Sequence, residues 1–103
     1  MLELRPNCEL CDRDLPPQSA DARICSYECT YCADCVEQLC NVCPTCGGGF
    51  APRPIRPQQA YRAELKLGLG NHPAGSQRHH SRFTSEDIAA HVERIKHIPP
   101  EQR

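Results

Sequence analysis

The spacing of nine cysteines constrains this chain more than any other feature of its sequence. All of them lie within residues 8–46, and the stretch "CSYECTYCADC" at residues 25–35 contains four. Two residues between cysteines allow both sulfurs of one tight turn to reach the same tetrahedral ion. Four pairs supply eight thiolates, which predicts two zinc sites with four ligands each. The pairs are Cys8/Cys11, Cys25/Cys29, Cys32/Cys35 and Cys43/Cys46, of which the second is one residue wider.

A metal explains these cysteines better than disulfides do. The opening "MLELRPNCEL" lacks the charged-then-apolar pattern of a secretory signal, and no apolar run is long enough to span a membrane. We therefore predict a cytoplasmic protein without a membrane partner, and cytoplasmic thiols are kept reduced. Nine is also an odd number, which full pairing cannot accommodate. Metal binding is the first interpretation and thiol redox chemistry the second.

The first fifty residues contain too few apolar side chains for an ordinary core. A core of this size supplies about 3–5 kcal/mol, whereas one structural zinc site contributes on the order of 10–16 kcal/mol of apparent binding energy. Metal binding is therefore expected to be a precondition of folding.

The spacing alone leaves the grouping of the four pairs open. A sequential arrangement joins the first pair to the second and the third to the fourth. An interleaved arrangement joins the first to the third and the second to the fourth, so that a hairpin over residues 25–35 reaches both ions.

The run C-x2-C-x13-C-x3-C-x2-C-x2-C-x7-C-x2-C resembles the RING finger, in which eight ligands bind two zinc ions in a cross-brace. The likeness includes Leu10 before the second ligand and Pro44 within "CPTC", whereas Cys29 stands where histidine is usual. The resemblance implies a small zinc-stabilised domain, RING-like or treble-clef-like, with little regular secondary structure. It also implies the two ligand sets: Cys8, Cys11, Cys32 and Cys35 for the first zinc, and Cys25, Cys29, Cys43 and Cys46 for the second.

Residues 1–50 are also similar to small bacterial cysteine-rich proteins of unknown function. The likeness lies in "MLELRPNCELCDRDLPP", "ARICSYECTYCADC" and "CPTCGG", and it implies no activity. Cys40 has no ligand position in either pattern. We predict a buried or half-buried thiol at the end of a short helix over "ADCVEQLCN", with a spare ligand or redox-sensitive thiol as the alternative.

The composition divides the chain into three parts. We define the head as residues 1–51, which we predict to be the two-zinc domain, with a hairpin over "ARICSYECTYC". Residues 52–83 are rich in proline and glycine and predict a flexible linker. Residues 84–98 predict an amphipathic helix, capped by Thr84 and Asp87, that requires a surface to cover its apolar stripe. The stripe is formed by Ile88, Val92 and Ile95, and the histidines are expected to be solvated.

The charge distribution disfavours nucleic-acid binding, and the missing catalytic motifs disfavour an enzyme. Residues 1–50 carry eight acidic and three basic side chains, a net of −5, while residues 51–103 carry five and nine, a net of +4. An acidic head disfavours nucleic acid, although the basic tail could bind it weakly. No nucleophile elbow, phosphate loop or HExxH motif is present.

We therefore predict a non-enzymatic zinc adaptor that binds another protein, with self-association through the terminal helix as a further option. The alternatives are a redox-responsive thiol and zinc regulator, a weak nucleic-acid binder and a RING-type ubiquitin-ligase-like scaffold. For the last, the resemblance places Leu10, Val36 and Pro44 in the partner groove, but Gly47 replaces a basic residue common in active ligases.

Overall fold

Short antiparallel strands hold the cysteine-rich half together. The computed structural model describes all 103 residues. Strand β1 (Ala22–Ile24) pairs with β2 (Thr30–Cys32), and Arg23 lies opposite Tyr31. Strand β3 (Ala51–Pro52) pairs with the other side of β1, which gives the strand order β2-β1-β3. The predicted hairpin is confirmed, and the third strand adds the end of the head to its sheet.

The short helix predicted over "ADCVEQLCN" is also confirmed. Helix α1 (Ala33–Gln38) follows β2 without a break. The chain then turns through left-handed backbone at Cys40 and Asn41, with φ angles of 52° and 60°. The side-chain oxygen of Asn41 accepts a hydrogen bond from the backbone of Phe50, so this turn directs the chain towards the last pair of cysteines and then β3.

Helix α2 (Ser85–Ile95) is the predicted terminal helix, and it lies against the head. The Thr84 hydroxyl accepts a hydrogen bond from the Asp87 backbone at 3.1 Å, which confirms the predicted cap. The helix ends at Ile95, three residues before the predicted end, and a 3-10 helix follows at Pro100–Gln102. Neither α1 nor α2 has the length and apolar content needed to cross a bilayer.

Cysteines make up nearly half of the residues in the buried core. Six of the thirteen residues in the buried cluster are cysteines, and Ile88 and Val92 of α2 belong to the same cluster. Tyr31 is fully buried, and its ring meets Phe50 edge-to-face at 5.3 Å. The structure therefore confirms a small domain with little regular secondary structure, clustered cysteines and one C-terminal helix.

The segment 52–83 runs across the head. Arg53 is buried, and its guanidinium donates hydrogen bonds to the carbonyls of Arg5, Leu15 and Pro16. A brief 3-10 helix forms at Ala63–Leu65. The mobility predicted for this segment stays a prediction, but its position is specified by these contacts and by those of residues 75–81 described below.

Candidate metal centre

The first cluster joins the first and third cysteine pairs. Cys8 and Cys11 come from a tight turn, residues 8–11, which we call the first knuckle. Cys32 is the last residue of β2, and Cys35 lies one helical turn later in α1. All four sulfurs lie within 4.8 Å of one another.

The size of this cluster matches a tetrahedral thiolate site. Four sulfurs about 2.3 Å from a central ion at tetrahedral angles stand about 3.8 Å apart. The sulfurs of Cys11 and Cys32 are 3.8 Å apart, whereas a disulfide requires about 2.05 Å. All nine cysteines are free thiols in the structure. The four side chains thus fit a metal ion better than they fit crosslinks.

The second cluster joins Cys25, just after β1, to the last cysteine pair. We call residues 43–46 the second knuckle. The sulfurs of Cys25, Cys43 and Cys46 lie within 4.8 Å of one another. The backbone N–H of Gly48 donates a hydrogen bond to the Cys46 sulfur at 3.4 Å. Three sulfurs of a second site are therefore in place.

Cys29 lies beside the second cluster. Its thiol is close enough to Cys25 and Cys43 for the two to shift its pKa, but it does not join the set in which all sulfurs lie within 4.8 Å. The two clusters follow the interleaved order, with the first pair beside the third and the second beside the fourth. That all eight thiolates, Cys29 included, hold two zinc ions stays a prediction.

The close approach of the sulfurs shifts the pKa values of several thiols. Hydrogen bonds from Cys29 and Cys43 lower the pKa of Cys25 to about 2. The hydrogen bond that Cys29 donates to this thiolate raises the pKa of Cys29 to about 11, and Cys43 is raised for the same reason. In the first cluster, burial and a hydrogen bond with Cys32 raise the pKa of Cys35. Adjacent thiols cannot all ionise unless a positive ion offsets their charge.

Two buried polar side chains position the first knuckle, and no sequence pattern predicted their role. The Glu9 carboxylate accepts hydrogen bonds from the Thr30 backbone and from Arg5. Asn7 is fully buried, and its amide donates to the Cys8 carbonyl at 3.1 Å. Such contacts fix the backbone that carries the sulfurs, which is how groups around a metal site commonly act.

The second knuckle is held by α2. The imidazole Nε2 of His91 lies 2.9 Å from the Cys43 carbonyl oxygen. The prediction that the histidines are solvated is therefore wrong for His91, and also for His79, whose Nε2 is buried. Gly47 has a φ of 79°, and a Cβ there would stand 3.2 Å from Cδ1 of Ile95. Glycine is needed at this position both for the left-handed backbone and for the close approach of the helix.

Gly47→Ala is expected to lower the free energy of unfolding of the metal-loaded protein by about 1–2 kcal/mol, because alanine is strained in left-handed backbone. Gly70→Ala is the matched control, since a Cβ there has no atom within 4 Å. Chemical denaturation followed by circular dichroism measures both changes. Equal stabilities would contradict left-handed backbone at residue 47.

Cys40 differs from its prediction. It lies just beyond the end of α1 as expected, and its sulfur belongs to neither cluster. However, the residue is exposed, not buried or half-buried, because the left-handed turn carries it away from the core. Its thiol is 4.0 Å from the nearest hydrogen-bond acceptor, the Gln38 carbonyl.

Comparisons with known proteins cover the half of the chain that contains both clusters. A family model described as "Protein of unknown function (DUF1272)" matches residues 1–56. Over 58 residues the chain is 64% identical to a protein of Rhizobium meliloti (strain 1021) described as "Uncharacterized protein R02474", an alignment that covers 55% of this chain and 69% of the relative. No solved structure matches. The matched segment includes all nine cysteines and extends past β3.

Proposed function

Because this chain belongs to the DUF1272 family of proteins of unknown function, its role must be inferred from its own site, and we propose that it is a zinc-binding protein-interaction module. In this proposal both zinc sites are structural and bound by thiolates alone, in a RING-like cross-brace. Zinc organises the head, and the head presents a surface to another protein without catalysing a reaction.

The observation that carries the proposal is the close set of four sulfurs in the first cluster. Tetrahedral sites made only of thiolate favour zinc or iron among the common metals. Four protein ligands leave no open position for a substrate or water, which distinguishes structural zinc sites from catalytic ones. The chemistry that a bound zinc supplies here is charge neutralisation and crosslinking of the chain.

Exposed apolar side chains on the head support an interaction role. Leu10 on the first knuckle is 37% exposed, and Tyr27, between the two strands of the hairpin, is 73% exposed. Nucleic acid remains a disfavoured partner, because eight thiolates around two divalent ions add about −4 to an already acidic head. Self-association through α2 would require its apolar stripe to leave the head, where Ile88 and Val92 are buried.

A ligase-type scaffold has less support than an adaptor. The resemblance to RING fingers suggests it, but Gly47 stands where many ligases have a basic residue. At a φ of 79°, with Ile95 only 3.2 Å from the position of a Cβ, a larger residue would displace α2. The helix also lies beside Leu10 and Pro44, which line the clefts along its two sides.

A redox-responsive regulator is the second candidate, and the exposure of three cysteines favours it. Cys11 and Cys46 are exposed members of the two clusters, and Cys40 is exposed outside them. Oxidants reach exposed thiolates first. Oxidation of either cluster cysteine would remove a metal ligand and open its site.

The metal content tests the proposal directly. We expect two zinc ions per chain, measured by elemental analysis of protein purified without chelator. Replacement of zinc by cobalt should give the absorption of tetrahedral thiolate coordination. One ion or none per chain would contradict the two-site arrangement.

The interaction role requires a separate measurement. A partner captured by the zinc-loaded chain should be lost after chelation and weakened by Tyr27→Ser, while Tyr61→Ser on the segment outside the family match serves as the control. Capture that survives chelation would argue against a zinc-organised surface.

A further inference from the structure

A short segment outside the family match lies against the first knuckle. We call residues 75–81 the strap. The Ser81 N–H donates to the Glu9 carbonyl at 2.8 Å, and both backbone groups of His79 pair with the side-chain amide of Asn7. Arg78 donates to the Asp12 carbonyl at 2.6 Å, and its side chain also binds the carboxylates of Asp12 and Asp14. The strap therefore contacts the backbone that carries Cys8 and Cys11.

A second set of contacts holds the second knuckle. His91 of α2 contacts the Cys43 carbonyl. Arg103 donates one hydrogen bond to the Asn41 carbonyl at 2.7 Å and another to the Gly47 carbonyl at 3.2 Å. These carbonyls flank the turn that carries Cys43 and Cys46. None of these contacts reaches the first knuckle.

We propose that residues 75–103 form a latch that slows metal release from the two sites, the strap acting on the first site and α2 with Arg103 on the second. This inference rests on the proposed zinc sites and concerns their regulation. Arg78, His91 and Arg103 act as positioning residues. His91 touches the backbone of the second knuckle, and the two arginines touch the backbone directly beside the knuckles; none of the three is a proposed metal ligand. A partner that displaces the strap or α2 would thereby loosen one metal ion and leave the other in place.

The physical basis is linkage between two equilibria. A metal leaves a closed tetrahedral site only when a knuckle opens, and opening breaks the hydrogen bonds to the carbonyls of Glu9 and Asp12 or of Cys43 and Gly47. Contacts that exist only when the knuckle is closed raise the affinity of the site for its metal. By linkage, the bound metal strengthens those contacts by the same factor. Groups that orient metal ligands typically change metal affinity by 10–100-fold.

Two arginine substitutions separate the two sites. Arg78→Gln removes the strap's charged contacts. Arg103→Gln removes the hydrogen bonds to the Asn41 and Gly47 carbonyls on either side of the second knuckle and leaves that of His91 in place; neither arginine is a proposed metal ligand. Arg62→Gln is the matched control, because Arg62 is exposed and makes no side-chain hydrogen bond or ion pair. The full-length chain is loaded with cadmium-113, and its NMR resonances, one from each site, are followed after excess chelator is added.

We expect Arg103→Gln to speed the loss of the second-site resonance about tenfold, and not that of the first. Arg78→Gln should speed loss of the first-site resonance by a smaller factor, about threefold, because its carboxylate partners are largely solvated. Hydrogen exchange on the fully loaded variants should rise in α2 for Arg103→Gln and in the strap for Arg78→Gln.

The outcomes distinguish the latch from the sites themselves. Two cadmium resonances with wild-type release rates in both variants would overturn the latch and leave the zinc sites standing. Equal acceleration at both sites in each variant would indicate general destabilisation and would also overturn it. Absence of cadmium resonances from the wild-type chain would contradict the proposed function instead.

Discussion

Cys43→Ser is expected to remove one metal ion from the chain and to unfold the second knuckle together with the core around it. Cys43 is fully buried in the sulfur-rich cluster, beside Cys25 and Cys29. A serine hydroxyl is not a zinc ligand in proteins of this kind. One structural zinc contributes on the order of 10–16 kcal/mol, which equals or exceeds the whole stability of an ordinary domain, about 5–15 kcal/mol. The loss cannot be absorbed by the few apolar contacts that remain.

Cys40→Ser is the matched control for this substitution. The same change is made three residues earlier, but at an exposed sulfur outside both clusters. Elemental analysis should give one metal ion for Cys43→Ser and two for Cys40→Ser, and only Cys43→Ser should lose the cooperative thermal transition seen by circular dichroism. Loss of a metal from Cys40→Ser would make Cys40 a ligand and would refute the ligand set of the second site.

The cysteine clusters were predictable because the spacing within each pair is a local property. Two intervening residues fix the distance between sulfurs within one turn, whatever the rest of the chain does. The helix cap at Thr84 is local in the same way, since its partner Asp87 is three residues away. The interleaved grouping was not determined by spacing; it came from a resemblance, and the clusters in the structure follow it.

Contacts between distant residues were not predictable from the sequence. Asn7 pairs with His79 across 72 positions, and Arg103 reaches Asn41 across 62. Each of these contacts is made by a single side chain that hydrogen bonds to one backbone group. It therefore leaves no repeating pattern in the sequence from which it could be predicted. The proline and glycine content of residues 52–83 predicted a flexible linker, but a segment without regular structure can still satisfy its hydrogen bonds on a neighbouring surface. That is how the strap is held.

The contacts of Arg53, at the boundary of the head, were likewise not predictable from the sequence. The composition changes after Phe50, which predicted a domain ending at residue 51. In the structure β3 extends to Pro52. The guanidinium of the next residue, Arg53, hydrogen bonds to the carbonyls of Arg5 and Leu15. The family match also extends to residue 56. We therefore expect residues 1–56 to retain these contacts and residues 1–51 to lack them.

Arg53→Leu is expected to lower the free energy of unfolding of the zinc-loaded chain by roughly 3–5 kcal/mol. Arg53 is 4% exposed, and its guanidinium donates to three carbonyls, those of Arg5, Leu15 and Pro16. A hydrogen bond to a charged group contributes about 1.5–3 kcal/mol. The bond to Leu15 is buried and should contribute fully, whereas those to Arg5 and Pro16 are partly buried and contribute less. Burial lowers the pKa of Arg53, but arginine stays charged at neutral pH, so the carbonyls are what stabilise its charge in the core.

Two further variants separate the causes of this loss. Arg53→Lys keeps the positive charge but replaces the planar guanidinium, with its several N–H donors, by a single ammonium group. It should therefore recover only part of the free energy of unfolding lost in Arg53→Leu. Arg62→Leu, on an exposed position without side-chain partners, should change the free energy of unfolding by less than about 0.5 kcal/mol. Urea unfolding at saturating zinc provides the measurement. If Arg53→Leu were as stable as Arg62→Leu, the carbonyls around Arg53 would be reached by water, and the segment after β3 would not belong to the folded head.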